Sequence, residues 1–185
     1  MIRLNVPLFH GSYISVEKPD LAKCRDGKDF GRGFYLTTSK KQAERFTRTA
    51  VRKAENDKLI SAGSTEGFVS EFFVDDWGGL HVHEFVDANA DWLHCVVAHR
   101  RKRGMSSELA RWADFDVIGG KIANDHTNLV ITAYMDGLYG QVASERADWI
   151  AIELLEPENL TDQFCFRTDK ALERLQWIRT EKIIL

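Results

Sequence analysis

Segments typical of β-strands lie near both ends of the chain, and segments with helical periodicity occupy most of the middle. Apolar or alternating runs at 6–10 and 33–37 predict two short strands bracketed by glycine, and the runs at 163–166 and 177–185 return to strand. Strands grouped at both ends, without regular alternation of strand and helix, favour an α+β fold over a doubly wound one. We therefore expect an α+β architecture around mostly antiparallel sheet.

The segment that follows the second strand carries a helix-start signal. Ser39 and Gln42 form the S-x-x-Q capping box, and small or apolar residues then recur at helical spacing. Thr168 is positioned to cap a short helix near the C-terminus. Further strands are expected at 68–74 and 80–85, which we interpret as a hairpin, and at 115–118; further helices are expected at 89–100, 127–139 and 143–155.

Length and composition are those of one ordinary globular domain. With 185 residues, 44% hydrophobic and 29% charged, residues 1–185 are expected to form a single domain. The net charge of -3 provides no global cationic field for nucleic acid. No apolar run approaches the ~18 residues that span a bilayer, and no signal peptide is recognisable at the N-terminus. We expect a cytoplasmic protein without membrane contact.

Cysteines and histidines do not predict a metal site. Cys24, Cys95 and Cys165 are odd in number and share no CxxC spacing, so neither a disulfide nor a cysteine zinc site is expected. His81 and His83 share a face of a predicted strand, but His94 and His99 diverge on a helix. We therefore expect no metal.

His10 and Tyr35 are the first candidates for chemistry. A histidine at a strand end followed by Gly11 can offer its ring to a ligand, while glycine permits close approach of the backbone. The run from Phe30 to Tyr35, F-G-R-G-F-Y, forms a flexible turn that delivers an aromatic ring able to stack on a flat heterocycle. Each residue alone is also compatible with a structural role.

The order of these motifs resembles the diphtheria-toxin and poly-ADP-ribose-polymerase branch of ADP-ribosyltransferases, which carry a His-Tyr-Glu triad. The closer resemblance is to the bacterial DUF3990 family of that superfamily. Its motifs L-x-H-G-S, D-F-G-x-G-F-Y-L-T-T and Q-x-x-F-x-T-x-x-A-L match residues 8–12, 29–38 and 163–172. The segment 116–125 is similar to the family's D-V-V-x-G-x-x-A-D-D stretch, with Asn124 in place of the first aspartate.

The resemblance implies an ADP-ribosyltransferase-like fold in which two short, mostly antiparallel sheets with flanking helices form an NAD cleft. NAD is then a substrate: His10 donates a hydrogen bond to its ribose, the Gly11 backbone pairs with the carboxamide, and Tyr35 stacks on the nicotinamide ring. The residues implied to contact NAD are His10, Gly11, Ser12, Phe30, Gly31, Gly33 and Tyr35.

Gln163 occupies the position where the resemblance implies a catalytic glutamate. Its carbonyl can hold a ribose hydroxyl but lacks the charge that stabilises a developing cation, a loss that typically costs ~10²–10³ in rate. Either the reaction is slow, another acid compensates, or the protein binds without turnover. Asp125 is the substitute that the sequence suggests, so His10, Tyr35, Gln163 and Asp125 are the catalytic candidates.

The expected function is transfer of ADP-ribose to an unidentified macromolecule, a protein or a nucleic acid. The resemblance implies the toxin of a toxin–antitoxin or phage-defence system, with an antitoxin protein as a possible partner. The alternative is a module that binds NAD or ADP-ribose as a sensor, or that holds a partner, without catalysis. An RNA-directed phosphotransferase would need arginines converging on the cleft, and only Arg32 is obviously near.

The basic cluster at 100–103 is interpreted as the solvated end of a helix, with phosphate contact as its alternative.

Overall fold

The computed structural model describes residues 4–101, 105–122, 125–156 and 160–185, with the backbone alone at 125 and 126. Its strands are β1 (Leu8–Ser12), β2 (Phe34–Leu36), β3 (Glu66–Val74), β4 (Val82–Glu84), β5 (Val117–Lys121), β6 (Asp162–Phe166) and β7 (Leu175–Ile184). Its helices are α1 (Lys40–Asn56), α2 (Ala90–Arg100), α3 (Ser106–Arg111), α4 (Asp125–Met135), α5 (Glu145–Leu155) and α6 (Asp169–Leu172).

The strands form two open sheets, in the orders β1-β3-β7 and β2-β6-β5-β4. All pairs are antiparallel except β4 with β5. The expected α+β class and the mostly antiparallel pairing are therefore confirmed. The hairpin expected from 68–74 and 80–85 is wrong, because β3 lies between β1 and β7 whereas β4 joins the other sheet beside β5.

Side-chain caps begin the helices where the sequence predicts them. The Ser39 hydroxyl accepts the Gln42 amide at the start of α1, and the Thr168 hydroxyl accepts the Ala171 amide at the start of α6. Each hydroxyl gives a second acceptor to an amide of the first helical turn, which also donates to the backbone carbonyl of the capping residue. None of the helices in the described part of the chain combines the length and the apolar character needed to cross a membrane.

Two apolar clusters lie on the two faces of the second sheet. Phe164 and Phe166 of β6 pack with Leu8 and Phe72 of the first sheet, so this cluster fills the space between the sheets. Cys165 points the other way, into a cluster built from α2, α4 and α5. The second sheet is thus a middle layer, with the first sheet on one side and helices on the other.

Strands β1 and β2 meet along a short seam that joins the two sheets. Phe9 and Thr37 exchange two backbone hydrogen bonds, of 2.8 and 3.0 Å. One further bond, from the His10 ring to the Tyr35 carbonyl, extends the seam. We call these three hydrogen bonds the seam. They hold His10 beside the strand that carries Tyr35.

Candidate functional site

His10 is half-buried on β1, with its ring centroid 4.3 Å from that of Phe34. Its Nδ1 lies 2.8 Å from the carbonyl oxygen of Tyr35. A carbonyl can only accept, so Nδ1 carries the hydrogen. Burial lowers the pKa of His10 below 6.5, and the ring is therefore neutral near pH 7. In this tautomer Nε2 is an acceptor, so a ribose hydroxyl would donate to His10, the reverse of the direction that the resemblance implies.

Tyr35 closes the preceding loop through its hydroxyl group. The hydroxyl donates to the Gly31 carbonyl at 2.8 Å and accepts the Phe30 amide at 2.9 Å. Burial raises the pKa of Tyr35 well above 10, so the phenol stays protonated. Its side chain packs against the helical cluster, whereas the His10 ring lies with Phe34 on the opposite side of β2. The structure therefore does not bring the two rings together on one face, as the implied NAD cleft requires, and a ligand that touches both must extend across the seam.

Gln163 is 5% exposed and shares the face of the second sheet that carries Tyr35. Its amide Nε2 donates to Oδ2 of Asp29 at 2.7 Å and makes a longer contact of 3.4 Å with the Lys121 carbonyl. Because the nitrogen donates, the carbonyl Oε1 is the end of the side chain that can accept a hydroxyl. The side chain is nearly closed to solvent, so a ligand reaches it only after a neighbouring segment moves.

Asp29 is the residue at this site that sequence reasoning missed. Its Oδ1 accepts Nε and Nη2 of Arg100, at 2.8 and 2.5 Å, while its Oδ2 accepts Gln163. Asp29, Gln163 and Arg100 thus form one buried chain of hydrogen bonds, which we call the Asp29 network. The available signal was an acidic residue opening the D-F-G block, directly before the loop that Tyr35 closes.

The structure corrects the interpretation of Arg100 as part of a solvated helix end. Its side chain is 14% exposed and pairs with Asp29, while Nη1 donates to Asn128 at 2.7 Å. Burial of the pair, and not the helix dipole, accounts for its position. Lys102 and Arg103 of the same cluster lie outside the described residues.

Packing explains several residues that were expected to contact NAD. A Cβ at Gly11 would overlap the Ala43 carbonyl oxygen, and one at Gly33 would overlap Cys165 and the Phe166 backbone. Gly31 has a φ of +83° and lies against His99. Phe30 is fully buried, with its ring centroid 6.0 Å from that of Phe85, and Ser12 is 8% exposed. The close contacts at Gly11, Gly31 and Gly33 require glycine whether or not a ligand binds.

The Asp125 backbone opens α4, but its side chain, like the whole of Asn124, lies outside the described residues. The carboxylate that the structure places beside Gln163 is that of Asp29.

Two of the histidines that the sequence offers as metal ligands have protein partners: His94 pairs with Asp148 at 2.9 Å, and Nδ1 of His99 lies 2.8 Å from the Cys95 carbonyl. Within the described ranges, no three His, Cys, Asp or Glu residues form a metal-holding group.

Comparison with known proteins yields one family. The model of the family described as "Protein of unknown function (DUF3990)" matches residues 6–177. The matched range includes β1 through β6 and therefore His10, Asp29, Tyr35, Arg100 and Gln163. No curated protein matches the chain.

Proposed function

The chain belongs to the DUF3990 family, and from this membership and the geometry around Gln163 we propose that it is an NAD-dependent ADP-ribosyltransferase. In the reaction, the bond between nicotinamide and ribose C1′ breaks and nicotinamide leaves with the bonding electrons. A nucleophile of a macromolecule then bonds to C1′ and loses its proton. The demands on the protein are a grip on the ribose and a negative potential near C1′.

The observation that carries the proposal is the placement of His10 and Gln163 about the seam. Phe9 pairs with Thr37, and the register of β2 with β6 ends at Leu36 opposite Phe164, one residue short of Thr37 and Gln163. The two candidate residues are therefore about two strand spacings, or ~10 Å, apart across the strands, with their side chains on opposite sides of β2. A neutral imidazole acceptor on one side and an amide on the other suit the hydroxyl groups of a long ligand such as NAD.

The Asp29 network supports an electrostatic role for the Asp29 carboxylate, in place of a glutamate at position 163. Asp29 holds the Gln163 nitrogen at 2.7 Å, which fixes the amide and leaves its carbonyl to accept a ribose hydroxyl. The negative charge then lies one hydrogen bond behind the group that touches the ligand. Stabilisation of a developing cation by preorganised charge acts over this distance in a dry site.

A second candidate function is supported by Arg100. Its guanidinium donates two hydrogen bonds to Asp29 and offsets much of the negative charge on that carboxylate. A site in which the acid is already neutralised is suited to holding NAD or ADP-ribose without cleaving it. On this alternative the chain is a sensor or a partner-binding module.

The proposed setting follows from the resemblance of the family to ADP-ribosylating toxins. The acceptor is a cytoplasmic protein or nucleic acid, and the domain acts as the toxin of a toxin–antitoxin or phage-defence system. An antitoxin protein that covers the site is the corresponding partner. No metal is assigned a role in this reaction.

Incubation of the purified protein with lysate and NAD labelled in its adenylate part tests the proposal. Label should enter a macromolecular fraction while nicotinamide is released, and separate protease and nuclease treatments identify the acceptor class. His10→Ala should abolish labelling, and His81→Ala, a substitution at an exposed histidine, should leave it unchanged. Calorimetric binding of NAD without consumption would select the binding module. Neither binding nor consumption would exclude both functions.

A further inference from the structure

A cavity of about 330 Å³ lies on the outer side of the loop that Tyr35 closes. It is bounded by that loop, the C-terminal end of α2, α3 and the turn after β6. His10, Tyr35, Gln163 and Asp29 do not line it. The lining residues that matter for its chemistry are Arg32, His99, Arg101, Leu109, Phe115 and Arg167.

Three arginines on its walls are held by backbone carbonyls. Arg32 donates Nε and Nη2 to the Leu21 carbonyl at 3.1 and 2.8 Å. Arg167 donates Nη1 to the Trp112 carbonyl at 2.5 Å, and Arg101 donates to the Met135 carbonyl. A carbonyl fixes the orientation of a guanidinium but does not cancel its charge, and each group keeps further N–H donors.

The positive charge of this cavity exceeds its negative charge. None of the three arginines lies within 4.0 Å of a carboxylate in the parts of the chain that the structure describes. Against three guanidinium groups, the cavity lining described contains one carboxylate, Asp26. His99 adds no charge near pH 7, because burial lowers its pKa below 6.5. The lining residues therefore carry a formal excess of two positive charges, in a chain whose net charge is -3.

We propose that this cavity binds the phosphate group of a small organic phosphate. Guanidinium groups match the geometry and charge of a phosphate dianion, and two excess positive charges balance it. Leu109 and Phe115 supply an apolar wall for the organic part of the ligand. The volume is at the lower end of the range for small-molecule pockets and suits a compact ligand.

Phenyl phosphate, inorganic phosphate and phenol are suitable probes, because none of them is a nucleotide that could enter an NAD site. In calorimetry at constant ionic strength, phenyl phosphate should bind and phenol should not. Equal affinity for inorganic phosphate indicates a free-phosphate ligand, and tighter binding of phenyl phosphate indicates an organic one; both support the proposed chemistry. Failure of both phosphates to bind overturns the proposal.

The exposed Arg32 offers the cleanest substitution. Arg32→Gln should weaken phenyl phosphate binding about tenfold, since it removes one charge-assisted contact. Arg179→Gln is the matched control, because Arg179 lies on β7 and pairs with Glu71 away from the cavity. Equal weakening by both variants would indicate attraction to overall charge and overturn the assignment. Binding should persist in His10→Ala, whatever the outcome of the NAD experiments.

Discussion

The side-chain amide of Gln163 donates a 2.7 Å hydrogen bond to the carboxylate of Asp29, across 134 residues of chain. The Gln163 carbonyl can accept a hydroxyl and the Asp29 carboxylate carries the negative charge, whereas a single glutamate at 163 would do both. Exchanging the amide and the acid between the two positions therefore has an expected direction of effect on activity.

Exchange of the two groups tests where negative charge is needed. Gln163→Glu alone would place two carboxylates in hydrogen-bond contact, so one would remain protonated and little activity would be gained. Asp29→Asn with Gln163→Glu keeps an acid and an amide in contact and moves the charge to 163. We expect NAD cleavage by the double variant to exceed that of the parent, by up to ~10²-fold if the cation develops beside 163. Release of nicotinamide measures the rate.

Asp29→Asn alone is the control for that experiment. It retains the size of the side chain but removes the only charge that the described structure places against Gln163. Turnover should fall below that of the parent. A double variant no faster than Asp29→Asn would show that charge at 163 does not assist the reaction.

Arg100 is expected to be needed for stability because Asp29 is buried. Arg100→Met leaves an uncompensated carboxylate and should lower the free energy of unfolding by about 3–5 kcal/mol. Adding Asp29→Asn should recover part of this loss, since the remaining amide is neutral. Urea denaturation of the parent, both single variants and the double variant measures the coupling. Additive losses would mean that the pair contributes no mutual stabilisation.

Gly11→Ala separates a packing role from a ligand role. The new methyl group would overlap the Ala43 carbonyl oxygen, so α1 must shift and the free energy of unfolding should fall by about 1–3 kcal/mol. Thermal denaturation without NAD measures this effect. Gly63→Asn is the comparison, because Gly63 has open space around it and a φ of +81° that asparagine tolerates. Unchanged stability with weakened NAD binding would instead favour the ligand role.

Acidification should destabilise the fold before its carboxylates titrate. Burial lowers the pKa of His10 and His99 below the unfolded value of 6.5. The unfolded chain therefore binds more protons in this window, and stability is full above pH 6.5 and falls as the pH drops through it. Urea midpoints at pH 7.5 and 5.5 should differ. His10→Gln should reduce the difference.

Local signals predicted most elements of the fold. Ser39 and Thr168 identified two helix starts, and the periodicity at 89–100 agrees with α2. These features depend on neighbours within a few residues, which the sequence displays directly. The pairing of β4 was missed because a strand pattern does not specify its partner, and the parallel pairing with β5 depends on contacts across the sheet.

The Asp29 network could not be predicted from local sequence signals either, because its members are far apart in the chain. Arg100 and Asp29 are 71 residues apart, and a basic residue at a helix end is ordinarily solvated. The motif around His10 and Tyr35 did locate two adjoining strands, and their contact along the seam was within reach. The sequence did not show that their rings lie on different sides of β2, because this depends on His10 packing against Phe34 and not on the side of Tyr35.

The seam restricts which residues evolution can accept at position 10. Its imidazole joins one sheet to the other through the Tyr35 carbonyl, and the opposite nitrogen of the same ring is the acceptor that the proposed ribose contact uses. A replacement chosen only for ligand chemistry leaves that carbonyl without its donor, and one chosen only for stability loses the acceptor. Among neutral side chains, asparagine and glutamine resemble histidine in carrying the donor and the acceptor on two separate atoms, whereas a hydroxyl must serve both from one oxygen, so tolerated divergence at this position is expected to favour these two amides.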